Sequence, residues 1–341
     1  MVGGIEKKSQ VQEKLLDRKH RSALDFIGHI LIVIKKFLHD QWLLYVRGDN
    51  SKTTRMYHIW PGNNVFFFHG RLICGPDPRG LLSTTVSIFL SNWVFAVYVS
   101  DIIPNHSTLI ISLLLILKLI VLMNLIVISA IDPGIIPRND GASIEEVGTS
   151  NGNKRKRVSV NGVELKLKYC RICRIFRPPR SCHCAVCDNC VEKFDHHCPW
   201  IGQCIALRNY RFYMAFVISA LIFFIYIFVF SCWRIHQRML ENNTGLLRML
   251  GNFPETLALA LFSFMAICFL GGLTVFHVYL VAVNQTAYEN YYQSFLGSRN
   301  PYDKGILSNV KEVLCVPLPS SRVDFRAEVT SSWHANTGRQ V

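Results

Sequence analysis

Eight cysteines and three histidines crowd into residues 170–204, in the order Cys170-x2-Cys173, Cys182-His183-Cys184, Cys187, Cys190, Asp195-His196-His197-Cys198 and Cys204. Thiolate and imidazole are the usual donors for zinc, and paired Cys-x2-Cys spacing with a nearby His is the spacing of tetrahedral sites. Two closed sites take eight of these eleven groups and leave three for other chemistry. A closed site has no open coordination position, so both metals are expected to be structural, stiffening a loop that is otherwise poor in core residues. Twelve cysteines in 341 residues are too dilute for a disulfide-stapled mini-domain, and in a reducing cytosol these thiols stay unpaired.

The run Asp195 to Cys198 offers the other chemistry. If it is extended, successive side chains alternate faces, so His196 and Cys198 point one way and His197 the other. His197 can then bind metal on one side while His196 and Cys198 meet on the opposite side. A Cys beside a His is an activated nucleophile pair, and a carboxylate at Asp195 can hold the imidazole tautomer and balance its positive form.

The elements that must position this segment are membrane helices. Half of the residues are hydrophobic and only 18% are charged, below the usual ~25% of soluble domains. Four stretches, 81–100, 107–131, 212–233 and 257–283, approach or exceed the ~20 helical residues that a bilayer core requires. Lys and Arg number 13 in residues 1–80 and 14 in 132–211, against none in 101–106 and 3 in 234–256. Positive charge collects on the cytosolic side, so both termini and the long central loop are expected there. The expected architecture is an all-α polytopic membrane protein. It comprises a cytosolic N-terminal region (1–80), helices 1 and 2 (81–131), a cytosolic loop (132–211) with a zinc-stabilised cysteine-rich domain at about 168–211, helices 3 and 4 (212–283) and a cytosolic tail (284–341).

Several lesser features complete the reading. Phe26–Ile34 is too short to span and reads as an interfacial amphipathic segment. Residues 138–168 read as a mobile linker. The basic tract Lys154–Arg157 suits an anionic cytosolic leaflet better than nucleic acid, so the lipid bilayer is the expected partner of the excess positive charge. Lys118, inside the second span, needs a reason, while Cys232 and Cys268 read as small core residues. Cys74 and Cys315, near the membrane, are themselves candidates for acylation.

Residues Cys170 to Arg211 resemble the cysteine-rich domain of the DHHC protein S-acyltransferases, or palmitoyltransferases. The resemblance rests on Asp195-His196-His197-Cys198 with Pro199-Trp200, Cys204 and Asn209-Tyr210. Asp132-Pro133-Gly134 after the second span, and Asn300 to Gly305 with Asn309, extend it over most of residues 60–312. It implies one zinc on Cys170, Cys173, His183 and Cys190 and a second on Cys184, Cys187, His197 and Cys204. It further implies Cys198 as acylated nucleophile, His196 as its base and Asp195 as the group orienting His196. Three departures are Cys182, where the family usually has a small or polar residue and which is either a spare thiol or a competitor for the neighbouring metal, Ala206, where the family usually has Gly, and Thr286-Ala287-Tyr288-Glu289, one hydroxyl short of Thr-Thr-x-Glu. If the missing hydroxyl supports Asp195, activity is expected to fall.

The implied reaction moves a palmitate-class chain from acyl-CoA, through an acyl-cysteine, to membrane-associated proteins with cytosolic cysteines, in an endomembrane (Golgi, endoplasmic reticulum, vesicle) or the plasma membrane. Phe212, Tyr213 and Phe216 are placed to begin a helix lining the acyl tunnel. Arg174, Arg177, Arg180, Arg208 and Arg211 are candidate partners for CoA phosphates. The alternative, a membrane-anchored zinc-binding interaction or scaffold module, has no use for a thiol two residues after a His that follows an Asp.

Overall fold

A computed structural model describes residues 54–99, 107–139, 156–242, 245 and 253–329; the expected interfacial segment Phe26–Ile34 lies outside them. A short helix α1 (Met56–Ile59) and a hairpin of β1 (Val65–Phe67) and β2 (Leu72–Cys74) precede the long helices α2 (Arg79–Tyr98) and α3 (Ser107–Ala130). Four two-stranded hairpins follow: β3 (Lys156–Val160) with β4 (Val163–Leu167), β5 (Tyr169–Cys170) with β6 (Ile175–Phe176), β7 (Cys182–Cys184) with β8 (Asn189–Val191), and β9 (His196–Cys198) with β10 (Gln203–Ile205). The chain then enters α4 (Tyr210–Asn242) and α5 (Pro254–Ala282) and closes with the short α6 (Ala287–Tyr291) and α7 (Ile306–Leu314).

The helices α2 to α5 are long and apolar enough to cross a membrane, and the chain is a multi-pass membrane protein. Their leucines, valines and phenylalanines point both ways. Phe95, Leu114, Val121, Ile128, Phe223 and Ile227 close the bundle core, while Leu109, Leu119, Met123, Phe264 and Val275 face outward. A helix that is apolar all round needs either protein or lipid on every side. The central helix is α4, which packs along both α5 and α3.

Three features differ from the sequence reading. The third long helix does not stop at residue 233 but runs to Asn242, because the charges that follow find partners. Arg234 lies 3.6 Å from Glu241, and Arg238 donates to Thr256 Oγ1 and the Tyr98 carbonyl, both at 3.0 Å. The stretch 156–167, read as linker, is instead the β3–β4 hairpin. Its two-residue turn places Asn161 (φ 48) and Gly162 (φ 80) in the left-handed region, a conformation that Asn-Gly adopts readily and that matches strand twist. Cys232 and Cys268 are exposed on outer helix faces rather than buried in the core. Lys118 sits with Nζ 5.1 Å from the centroid of the Phe89 ring, a cation–π contact between neighbouring helices.

The segments on either side of the bundle are tied to it through backbone. Tyr57 N–H donates to the Phe325 carbonyl and Val329 N–H to that of Thr54. These bonds close a small core of Ile73, Ile135, Val323 and Phe325 with Trp60 and Phe66 against it. Asn300 and Asn309 donate to the carbonyls of Val283 and Ala282, each at 2.8 Å, which satisfies acceptors left open where α5 ends.

Candidate active site and metal centres

Three of the hairpins share one plan. In β5–β6 a cysteine at the end of the first strand (Cys170) is followed three residues on by another (Cys173) and then by a left-handed residue, Arg174 (φ 53). In β7–β8 the same positions hold Cys184, Cys187 and Asp188 (φ 51). In both, the N–H of the second cysteine points at the sulfur of the first, at 3.4 and 3.5 Å. In β9–β10 the positions hold Cys198, Ile201 and Gly202 (φ 75), and Ile201 N–H turns to the Cys198 carbonyl instead, at 3.2 Å. The third hairpin therefore keeps the turn and lacks the second thiol.

The hairpins bring two sets of four donors together, Cys170, Cys173, His183 and Cys190 in one and Cys184, Cys187, His197 and Cys204 in the other, with ligand atoms within 4.8 Å of one another. His183 Nδ1 lies 3.4 Å from Cys173 Sγ and 3.8 Å from Cys190 Sγ. His197 Nδ1 lies 3.4, 3.7 and 3.8 Å from the sulfurs of Cys187, Cys184 and Cys204. A tetrahedral ion with Zn–S of about 2.3 Å and Zn–N of about 2.0 Å separates S from N by about 3.5 Å. The two clusters fit structural zinc.

Cys182 belongs to neither set. Its sulfur accepts from Arg177 at 3.5 Å and packs with Phe194. Cys198 also stands apart from both, buried among Ile128, Ile201, Ile205, Tyr213 and Phe216 at the end of the bundle. On the extended β9, His197 turns toward the second cluster. His196 donates from Nδ1 to Asp195 Oδ2 at 2.7 Å, and the Cys198 side chain lies close enough to act on its protonation. Burial alone lowers the His196 pKa, but the bonds and charges of Asp195 and Cys198 outweigh it and hold the imidazole at about 9.

Asp195 is 2% exposed, and its other oxygen, Oδ1, accepts the Ala287 N–H at 2.8 Å. This is the position where a hydroxyl was missed in the sequence, and the bond comes from the backbone, which any residue there supplies. Thr286 and Glu289 cap α6 reciprocally, and Glu289 forms a two-pronged ion pair with Arg180, both bonds 2.7 Å. Arg180 thus fixes the helix end that holds Asp195, and Arg208 pairs with the buried Asp132 at 2.8 Å. Arg211 donates to the Val316 carbonyl, and of the five candidate phosphate partners Arg174 is the exposed one. Asp132 Oδ1 accepts from Gly134 and Ile135, closing the turn after α3.

Two contributors were missed in the sequence. The first is the stretch leading into α2 together with that helix's first turn: a Cβ on Gly75 would stand 1.7 Å from the Gly202 carbonyl, and one on Gly80 1.7 Å from that of Pro199. Only glycine lets these backbones meet, and Thr84 adds a bond to the Trp200 carbonyl at 2.9 Å. The second is His277 in α5, next to Asp195 and His196; an ionisable residue in a span was its one signal. Cys74, a candidate for acylation, has its thiol pushed up to about 11 by burial, whereas Cys315 is exposed.

Fold and site together define a class: multi-pass membrane proteins whose helices carry a Cys/His metal-binding head with a cysteine kept out of the metal sets. Comparison with known proteins gives the family. A family model described as DHHC palmitoyltransferase matches residues 163–294. Probable protein S-acyltransferase 5 of Arabidopsis thaliana is 42% identical over 294 residues, covering 81% of this chain and 62% of that protein. Probable protein S-acyltransferases 6 and 1 of the same plant are 41% and 39% identical, over 71% and 87% of their own lengths. The chain belongs to the DHHC palmitoyltransferase family; it spans less than two thirds of the first of these relatives.

Proposed function

We propose that this protein is a protein S-acyltransferase that moves a long-chain acyl group from acyl-CoA to cysteines of membrane-associated proteins. The observation that carries the reading is the separation of Cys198 from both four-donor sets while His196, paired with Asp195, stands beside it. The Cys198 sulfur attacks the thioester carbonyl, its bond to carbon forms, the bond from carbon to the CoA sulfur breaks, and CoA leaves as the thiol with the His196 proton. In the second half the acceptor's thiol gives its proton to His196, its sulfur takes the acyl group, and Cys198 departs as thiolate. Asp195, held by Ala287 N–H, keeps the His196 ring oriented through both halves.

Two zinc ions, when bound, stiffen the head that carries β9 and take no part in the exchange. The apolar surroundings of Cys198, with Tyr213 and Phe216 from α4, suit an acyl chain, each methylene contributing about 0.8 kcal/mol on leaving water. The distribution of Lys and Arg supports a cytosolic head and termini, with the domain limits set out from the sequence, in an endomembrane or the plasma membrane. Purified protein given labelled palmitoyl-CoA should acquire a hydroxylamine-labile acyl group. No label on the wild type, or equal label on Cys198→Ser, contradicts the proposal.

A further inference from the structure

Resting on the acyltransferase reading, we propose that His277 is a positioning residue for the reaction: with Tyr210 and Tyr213 it forms a hydrogen-bonded bracket inside the bundle that fixes the tilt of the His196 ring between Asp195 and Cys198. His277 is 2% exposed on the inner face of α5. Ionisable groups inside membrane spans are expensive and persist where they have partners and a task. The partners are on the neighbouring helix. His277 Nδ1 lies 3.0 Å from the Tyr210 hydroxyl and Nε2 3.3 Å from the Tyr213 hydroxyl. A neutral imidazole has one donor and one acceptor nitrogen, so one tyrosine donates and the other accepts, and the two hydroxyls are held in a defined sense.

Tyr210 and Tyr213 are three residues apart on α4 and therefore share a face. Tyr213 meets His196 edge to face, centroids 5.3 Å apart and planes at 73°, and the His277 ring lies 6.0 Å from that of His196. The bond to Asp195 fixes Nδ1 of His196, and the ring can still swing about the line from its Cβ to Nδ1, which carries Nε2 toward or away from Cys198. The Tyr213 edge blocks that rotation, and His277 anchors Tyr213. Asp195, His196 and His277 also bring donor atoms within 4.8 Å of one another, the geometry of a possible metal triad. Here Asp195 holds the Ala287 N–H and the His196 ring, and both His277 nitrogens hold tyrosines, so the cluster is satisfied by hydrogen bonds.

The test uses the full-length protein in lipid nanodiscs, measuring single-turnover acyl-cysteine formation from labelled palmitoyl-CoA and zinc per chain. His277→Ala should slow acylation about 10²-fold, the size of a small misplacement of a catalytic group, with the half-saturating palmitoyl-CoA concentration unchanged and the zinc content that of the wild type. His277→Gln, whose amide can still meet Tyr213, should recover part of the rate. In a His196→Ala background, His277→Ala should cost nothing further, whereas a merely structural role would lower the rate equally in both backgrounds.

Equal losses in both backgrounds, a wild-type rate for His277→Ala, a change confined to half-saturation, or a third zinc that disappears with His277 each overturn the bracket. If His277→Ala does not fold, Tyr213→Phe and Tyr210→Phe, each lacking one oxygen, carry the same comparison. A wild type that forms no acyl-cysteine removes the acyltransferase reading and the bracket with it. An active wild type with a normal His277→Ala removes the bracket alone.

Discussion

The first two cysteine hairpins and the third have the same turn and opposite fates. Cys170 and Cys184 each have a second cysteine three residues on and a histidine facing them, so their sulfurs belong to four-donor sets. Cys198 has Ile201 at the second position, and its hairpin packs into the bundle core with Ile128 and Tyr213 rather than into a cluster of thiols. One residue per turn thus separates a sulfur of a four-donor set from one outside both sets. The strand β9 sharpens the contrast, because alternation places His197, a member of the second set, between two residues on the opposite face.

The strongest way to break this comparison is to remove one sulfur from each kind of hairpin. Cys187→Ser should lose a zinc and unfold the head, since a structural zinc site contributes on the order of 10 kcal/mol of folding free energy. Cys198→Ser should keep the wild-type zinc content and change stability by about 1 kcal/mol or less, while forming no acyl-enzyme. Zinc quantification, thermal melts and acyl labelling together distinguish the two.

The adjacent histidines come next. His197→Ala should lose metal and activity together, whereas His196→Ala should retain zinc and lose about 10²- to 10⁴-fold in acylation rate. A reversed pattern exchanges their roles. The raised His196 pKa adds a pH signature: the imidazole is protonated below about 9, so the proton for the departing CoA is available at neutral pH. Acylation should hold up to about pH 8.5 and decline through 9, and the decline should be absent in His196→Ala.

Much of this contrast was legible in the sequence. Ligand types at knuckle spacing announce metal sites, and uncharged apolar runs announce spans, because both depend on local chemistry. What was not legible depends on long-range contact. Arg234 and Arg238 look like helix stops until their partners on the same helix and on neighbouring helices are placed. The hairpin 156–167 was missed although Asn161-Gly162 signals it, because the surrounding charge reads as linker. Nothing local marks Gly75 and Gly80 as the backbone seat of the third hairpin, or Ala287 as a backbone donor to Asp195.

Those two contacts give smaller predictions. Gly80→Ala should push Pro199 away from α2 and slow acylation by about 10²-fold while the zinc content stays unchanged, since only the third hairpin rests on it. Ala287→Thr should alter the rate by less than about 3-fold, because the bond to Asp195 is already made by the main chain.

The central claim, that Cys198 stands outside the metal sets and is the acylated thiol, is tested most directly by intact-mass spectrometry of wild type and Cys198→Ser under native conditions after incubation with palmitoyl-CoA. The account expects two zinc ions in both proteins and one hydroxylamine-labile acyl group on the wild type alone. Loss of a zinc from Cys198→Ser, or an acyl group that persists on it, contradicts the account.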